Sequence, residues 1–202
     1  VEKIKNGFVR KKQDGVSHYF NQKGQLTKMV DKYGYKIELS YEKGDLKSIK
    51  DSQSKQMFFE FYSGVPKNVK HVWSANDKKV EYIYDENTLV QSKDVGGNIF
   101  KYEYKNQFDN LSKITYENGE TMEIQYSKKG WANQIKARDG EVTRYVYGAD
   151  KKNPDLHYWT EVKKKGFDGK WRSNKYEYEI RKRKDGSNYT HRIKTNLAGR
   201  LT

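Results

Sequence analysis

The residues best suited to acid–base or metal chemistry here are four histidines, His18, His71, His157 and His191. They lie far apart, and none forms a His-x-x-x-His or His-x-Glu pattern that would bring two ligands together. The chain has no Cys, so there is no thiol nucleophile, no disulfide and no Cys-based zinc site. It also lacks a Gly-x-Ser-x-Gly elbow, a glycine loop for phosphate, and a nucleophile beside a base. Carboxylates are plentiful but alternate with apolar residues, a placement whose default is a solvated strand face. These absences predict a protein that is not an enzyme, with no metal and no cofactor.

Binding chemistry has better candidates. Trp159 and Trp171 lie in a lysine-rich stretch that runs on to Arg181, Lys182 and Arg183. Between Asp150 and Lys194 there are 14 Lys/Arg against 7 Asp/Glu, a net +7 within a chain of net +14. Such a balance favours anionic partners, among them a surface glycan, a wall polymer, phospholipid headgroups or an acidic cargo. Aromatic rings beside cations also suit nucleic acid. No recognisable nucleic-acid fold accompanies them, so that partner is the least favoured. The structural counterpart is plain: the two Trp pin a hairpin, and the basic run is a solvated strand. Both readings stand at this point.

These residues are positioned by a repeat. An aromatic-polar-aromatic triplet, a turn, Leu-x-x-Ile and a second turn recur from about residue 18 onward. The second aromatic falls at Phe20, Tyr41, Phe61, Tyr84, Tyr104, Tyr126 and Tyr147, at intervals of 21, 20, 23, 20, 22 and 21. After an extra stretch of about ten residues it returns at Tyr178. Within the triplets apolar and polar residues alternate, most clearly at Tyr35, Ile37, Leu39 and Tyr41 against Lys36, Glu38, Ser40 and Glu42. Period-two alternation predicts strands with one buried and one wet face. The rings then form a structural aromatic ladder, with neighbours stacking from unit to unit.

Turn glycines are expected at Gly34, Gly97, Gly119 and Gly140. The pairs Gly96-Gly97, Asn118-Gly119 and Asp139-Gly140 predict hairpins with paired positive φ. Leu-x-x-Ile spacing, as in Leu46/Ile49 and Leu111/Ile114, does not fit a flat strand, because residues three apart face opposite sides. Either a bulge lies between them or the Leu belongs to the turn. No long stretch keeps a helical period. The fold predicted is all-β: tandem β-hairpin repeats forming a curved or spiralling antiparallel sheet. An entry strand or cap spans 1–17, repeats span 18–148, an inserted basic hairpin projects at 149–175, and further repeats follow at 176–202. Ala198-Gly199-Arg200-Leu201-Thr202 reproduces the Gly-x-Leu-Thr of Gly24 to Thr27, so the chain is expected to be part of a longer polypeptide. Apolar runs of only a few residues predict no membrane span.

The units resemble the Rhs, or YD-repeat, family, whose pattern is close to Tyr-x-Tyr-Asp-x-x-Gly-x-Leu-x-x-Ile-x-Asp-x-x-Gly. Tyr82-Ile83-Tyr84-Asp85 to Leu89 carries the first half. Gly24 to Gly34 and Gly44 to Asp51 carry the second. The likeness covers roughly residues 18–202. Only Asp85 keeps the Asp after the second aromatic; Glu42, Lys105 and Ser127 replace it elsewhere. The resemblance implies a non-enzymatic segment of a large secreted or cell-surface bacterial protein. Its repeats would build a β-shell or stalk that encloses or displays a toxin or effector. Its partners would be flanking repeats of the same polypeptide and an enclosed effector domain. The family's autoproteolytic aspartate segment has no match here. The alternative is an adhesion module for surface glycans or anionic cell-wall polymers.

Overall fold

A computed structural model describes the chain except for Val65, Asp77, Asn106, Gln107, Phe167, Ala198, Gly199 and Thr202; for Arg200 and Leu201 it describes the backbone only. The closing Gly-x-Leu-Thr match therefore falls largely outside the described residues. Two compact units are present, residues 1–100 and 101–202. The first runs through β1 (Glu2–Ile4), β2 (Gly7–Lys11), β3 (Ser17–Phe20), β4 (Leu26–Val30) and β5 (Lys36–Glu42). It continues with β6 (Asp45–Asp51), β7 (Gln56–Phe61), β8 (Val69–Ser74), β9 (Lys79–Asp85) and β10 (Thr88–Lys93). Each strand pairs antiparallel with the next.

The second unit takes in β11 (Ile99–Lys105), whose first two residues belong to the first unit, then β12 (Asn110–Thr115), β13 (Thr121–Tyr126) and β14 (Ala132–Lys136). β15 (Val142–Ala149), β16 (His157–Lys165), β17 (Trp171–Lys182), β18 (Asn188–Leu197) and β19 (Arg200–Leu201) follow, again paired in sequence. Among the described residues there is no helix, so none is long and apolar enough to cross a membrane. The protein is all-β, built of consecutive antiparallel hairpins. Residues rich in Tyr, Phe, Ile and Val favour this because their branched or planar side chains pack well on a pleated surface.

Leu-x-x-Ile is resolved by a bulge. Tyr104 pairs with Leu111 and Glu103 with Lys113, which leaves Ser112 unopposed. The same shift occurs between Tyr19 and Phe20, Ser40 and Tyr41, Glu60 and Phe61, and Gln125 and Tyr126. One extra residue changes the parity of the strand and returns Leu and Ile to the same face. A hydroxyl secures the bulge in two repeats. Ser112 Oγ donates to the Glu103 carbonyl at 3.0 Å, and Thr27 Oγ1 to the Tyr19 carbonyl at 3.3 Å.

The turns differ from the expected paired-φ type. Gly34, Gly97, Gly119 and Gly140 have φ of 88°, 92°, 82° and 84°, but Gly96, Asn118 and Asp139 do not have positive φ. These are three-residue loops. The Tyr116 N–H donates to Glu120 O and the Gly119 N–H to Tyr116 O, both at 2.9 Å, so a single left-handed residue closes the loop. A carboxylate or amide then caps the amides, as when Asp94 Oδ1 accepts from Gly96 and Asn98 at 2.8 and 3.0 Å. Paired positive φ falls instead at Lys43-Gly44 (51° and 94°), in the two-residue loop joining β5 and β6.

The expectation of one buried face also needs correction. Among the described residues Val9, 4% exposed, is the one apolar side chain nearly removed from water, and no large side chain is fully buried. Tyr35, immediately before β5, is 62% exposed. The described strands form a sheet with no second layer among the described residues, so rings and aliphatic groups cover one another sideways and each keeps part of its surface wet. The opposite face carries charge ladders that the sequence does not reveal. Lys28, Glu38 and Lys50 stand in register in the first unit; Glu103, Lys113, Glu123 and Lys136 do so in the second.

Residues 1–17, which show no period, fold as the β1–β2 hairpin, and β2 continues into the array through Phe8↔Phe20 and Val9↔Tyr19. The extra residues after Tyr147 enter a loop at 150–156 and two long strands. β16 pairs with β15 on one side and β17 on the other, within the sheet rather than projecting from it.

Candidate functional site

The eight aromatic anchors lie on alternate strands: Phe20 on β3, Tyr41 on β5, Phe61 on β7, Tyr84 on β9, Tyr104 on β11, Tyr126 on β13, Tyr147 on β15 and Tyr178 on β17. An aliphatic residue stands opposite most of them: Leu26, Leu46, Val69, Leu89, Leu111 and Ala132 face the first six anchors in turn. One strand thus separates successive anchors, and the register alternates ring with aliphatic rather than ring with ring. Tyr178 is different, stacking on Tyr158 with centroids 5.1 Å apart.

The hydroxyls do more. Tyr41 donates to Leu26 O at 2.8 Å, Tyr126 to Leu111 O at 2.6 Å and Tyr147 to Ala132 O at 2.8 Å, each fifteen residues back. Every such bond ties one unit to the backbone of the unit before it. Burial pushes the hydroxyls of Tyr104, Tyr126 and Tyr147 above the ordinary phenol range, and Tyr102 and Tyr145 add to this at Tyr104 and Tyr147.

The candidate contact residues do not come together. Trp159 and Trp171 share a face, but Trp159 pairs with Glu177 while Trp171 pairs with Lys165. Six strand positions separate them, about 20 Å. The half-buried Trp159 ring lies over Gly148, where a Cβ would come within 2.2 Å of ring atom Cζ2. Lys175 Nζ sits 4.8 Å from the Trp159 ring centroid. Trp171 is 40% exposed, with the Arg144 guanidinium 4.5 Å from its ring. The basic run lies at the β17–β18 turn. Arg181 pairs with Glu179 at 3.0 Å, Arg183 covers the Tyr189 ring at 5.0 Å, and Lys182 is exposed opposite Asn188.

The histidines also stay apart from one another. His71 Nδ1 lies 2.7 Å from Glu60 Oε2 and its Nε2 lies 3.6 Å from Glu81 Oε1. The two carboxylates flank opposite ring nitrogens and so cannot share one ion with them. Among the described residues no group of three His, Asp or Glu is arranged to hold a metal. The bond from His71, followed by Lys70, holds the Glu60 carboxyl below the ordinary range.

The recess best furnished for recognition lies in the second unit; sequence reasoning named Trp159 and Tyr147 in it but missed Trp131, Tyr158, Lys129 and Asp155. It is an open cleft of about 810 Å³ between the ends of β14–β16 and the loop at 150–156. Trp131, Tyr147, Tyr158 and Trp159 supply rings, and Lys129, Asp155 and Thr160 supply polar groups. Trp131 and Tyr147 meet edge to face at 5.2 Å, and Lys129 Nζ stands 5.3 Å from the Trp131 ring centroid. The loop is firmly held. Asp150 Oδ1 accepts from the Lys152 and Asn153 amides at 2.8 Å, which lowers its pKa, and the Ile180 N–H donates to Leu156 O at 2.7 Å. The available signal was the ten-residue break after Tyr147, together with a Trp four residues into the Ser127 turn.

No family model and no curated protein matches this chain. Among solved structures, the chain is similar to one in the crystal structure of TcdB2-TccC3-TEV over 95% of its length, at 12% identity and a TM-score of 0.40. It is similar to one in TcdB2-TccC3 over 95%, at 11% identity and 0.41, and to one in TcdB2-TccC3-Cdc42 over 95%, at 10% identity and 0.38. It spans 14%, 14% and 15% of those chains respectively.

Proposed function

We propose that this chain is a non-enzymatic structural repeat segment of a large secreted or surface-exposed bacterial Rhs/YD-repeat protein. In this reading it contributes to a β-shell or stalk that encloses or displays a toxin or effector. Flanking repeats of the same polypeptide are its first partners. The observation that carries the reading is the tyrosine hydroxyl given to a carbonyl fifteen residues back, repeated at Tyr41, Tyr126 and Tyr147. Each unit donates to the one before it and presents an equivalent carbonyl to the one after. Such an addition rule suits an architecture extended by repetition. The half-wet apolar face supports the same reading, since a surface of this kind gains from enclosed or neighbouring protein.

Limited proteolysis of the full parent polypeptide tests the proposal. The expected result is an effector domain that resists protease, and that becomes sensitive when Tyr41, Tyr126 and Tyr147 are all changed to Ala. Equal digestion of the effector with the array intact or disrupted overturns enclosure.

A further inference from the structure

We propose that the cleft beside the 150–156 loop is a carbohydrate subsite that seats a pyranose ring of a surface glycan. From Phe20 to Tyr104 a Leu or Val faces each anchor ring. Here the facing residues are Ala132 opposite Tyr126 and Thr160 opposite Tyr147, which are too small to cover a ring. Trp131 is left 50% exposed, and Tyr147 and Tyr158 are exposed as well. The pinned loop at 150–156 supplies a wall, so the recess is formed before anything enters it.

The mixture of groups selects the occupant. A pyranose presents an apolar C–H face and a rim of hydroxyls. Trp131 and Tyr158 offer flat rings to the face, and the Asp155 carboxylate and Lys129 ammonium offer an acceptor and a donor to the rim. A cationic ligand meets Lys129 already placed over the Trp131 ring. A nucleic acid meets the Asp155 carboxylate where its phosphates need cations. The subsite is independent of the shell proposal, because a stalk or shell can display it and an isolated array can retain it.

A glycan array carrying neutral, N-acetylated and uronic-acid pyranosides, followed by calorimetric titration of the whole chain with the strongest of them, tests this. The expected Kd is on the order of 10 μM to 1 mM. Trp131→Ala and Tyr158→Ala each weaken it by about tenfold, while Trp73→Phe in the first unit leaves it unchanged. Should Trp131→Ala fail to fold, the solvent-facing Asp155→Asn and Lys129→Gln are the deciding variants, each expected to weaken binding. A silent array overturns the proposal. So does affinity unchanged in the cleft variants, or binding of a single-stranded oligonucleotide with no glycan bound.

Discussion

At the scale of single residues, the hydroxyl of an anchor tyrosine separates two roles that burial alone would merge. The ring of Tyr126 covers its neighbours, while its oxygen fixes the distance to the preceding unit by bonding Leu111 O at 2.6 Å. Tyr126→Phe keeps the first role and loses the second. It is expected to cost about 0.5–1.5 kcal/mol, measured by urea unfolding against wild type. Ser54 makes the opposite prediction. It occupies the closing position of its turn with φ of 65°, the position that Gly34, Gly97, Gly119 and Gly140 hold in theirs. A side chain there costs roughly 1 kcal/mol, so Ser54→Gly is expected to stabilise by that order in the same assay. Gly148 is constrained by space instead, because a Cβ would enter the Trp159 ring. Phe61, which has no hydroxyl, cannot make this bond, and its unit reaches the one before it through Lys67 and Asp45 instead.

At the scale of elements, the bulge decides how a Leu-x-x-Ile segment meets its partner strand. Deleting Ser112 would shorten the segment to Leu-x-Ile, whose ends share a face of a flat strand without any bulge. The expected outcome is a cooperative transition retained by circular dichroism, whereas Ser112→Ala keeps the bulge without its hydroxyl and costs about 1 kcal/mol. The repeat was readable because turns and rings recur at a near-constant spacing that backbone geometry must respect. Alternation at Tyr35 to Glu42 likewise identified β5. Other features were hidden for physical reasons. An Asn-Gly pair serves both two- and three-residue loops, so Asn118-Gly119 does not distinguish them. The register that sets Glu103, Lys113, Glu123 and Lys136 side by side depends on bulges, whose positions the alternation alone does not give. Likewise, the ring-lined cleft arises where Ala132 and Thr160 replace bulkier residues, a small change in composition with a large effect on exposure.

At the scale of the whole molecule, stability is spread over many weak, similar connections. The chain's net charge of +14 works against compaction, which makes paired and capping carboxylates important. Asp94 is held below the ordinary aspartate range by Asn98 and the loop amides, Asp168 by the Lys170 amide and Arg172, and Asp185 by Ser187. A carboxylate lowered in the folded state contributes stability that is present above its unfolded value, about 4, and is lost as pH falls through the folded value. The melting temperature is therefore expected to hold from neutral pH to about 5 and to decline below about 4. Asp94→Asn should flatten part of that decline. The tyrosines act at the other limit. Hydroxyls raised by burial contribute stability below about 10, which is lost as pH climbs through their folded values.

The hydroxyl-to-carbonyl connections also have a mechanical meaning. Pulled at its two ends, a ribbon of consecutive hairpins meets the load one fold at a time, and Tyr41, Tyr126 and Tyr147 act as rivets that must fail before the next section peels. Single-molecule stretching should therefore give a staircase of releases spaced by about 70 Å of chain, the length of one 21-residue section, with softer steps where phenylalanine replaces the rivet. A protein built this way can be torn in part and zip closed again.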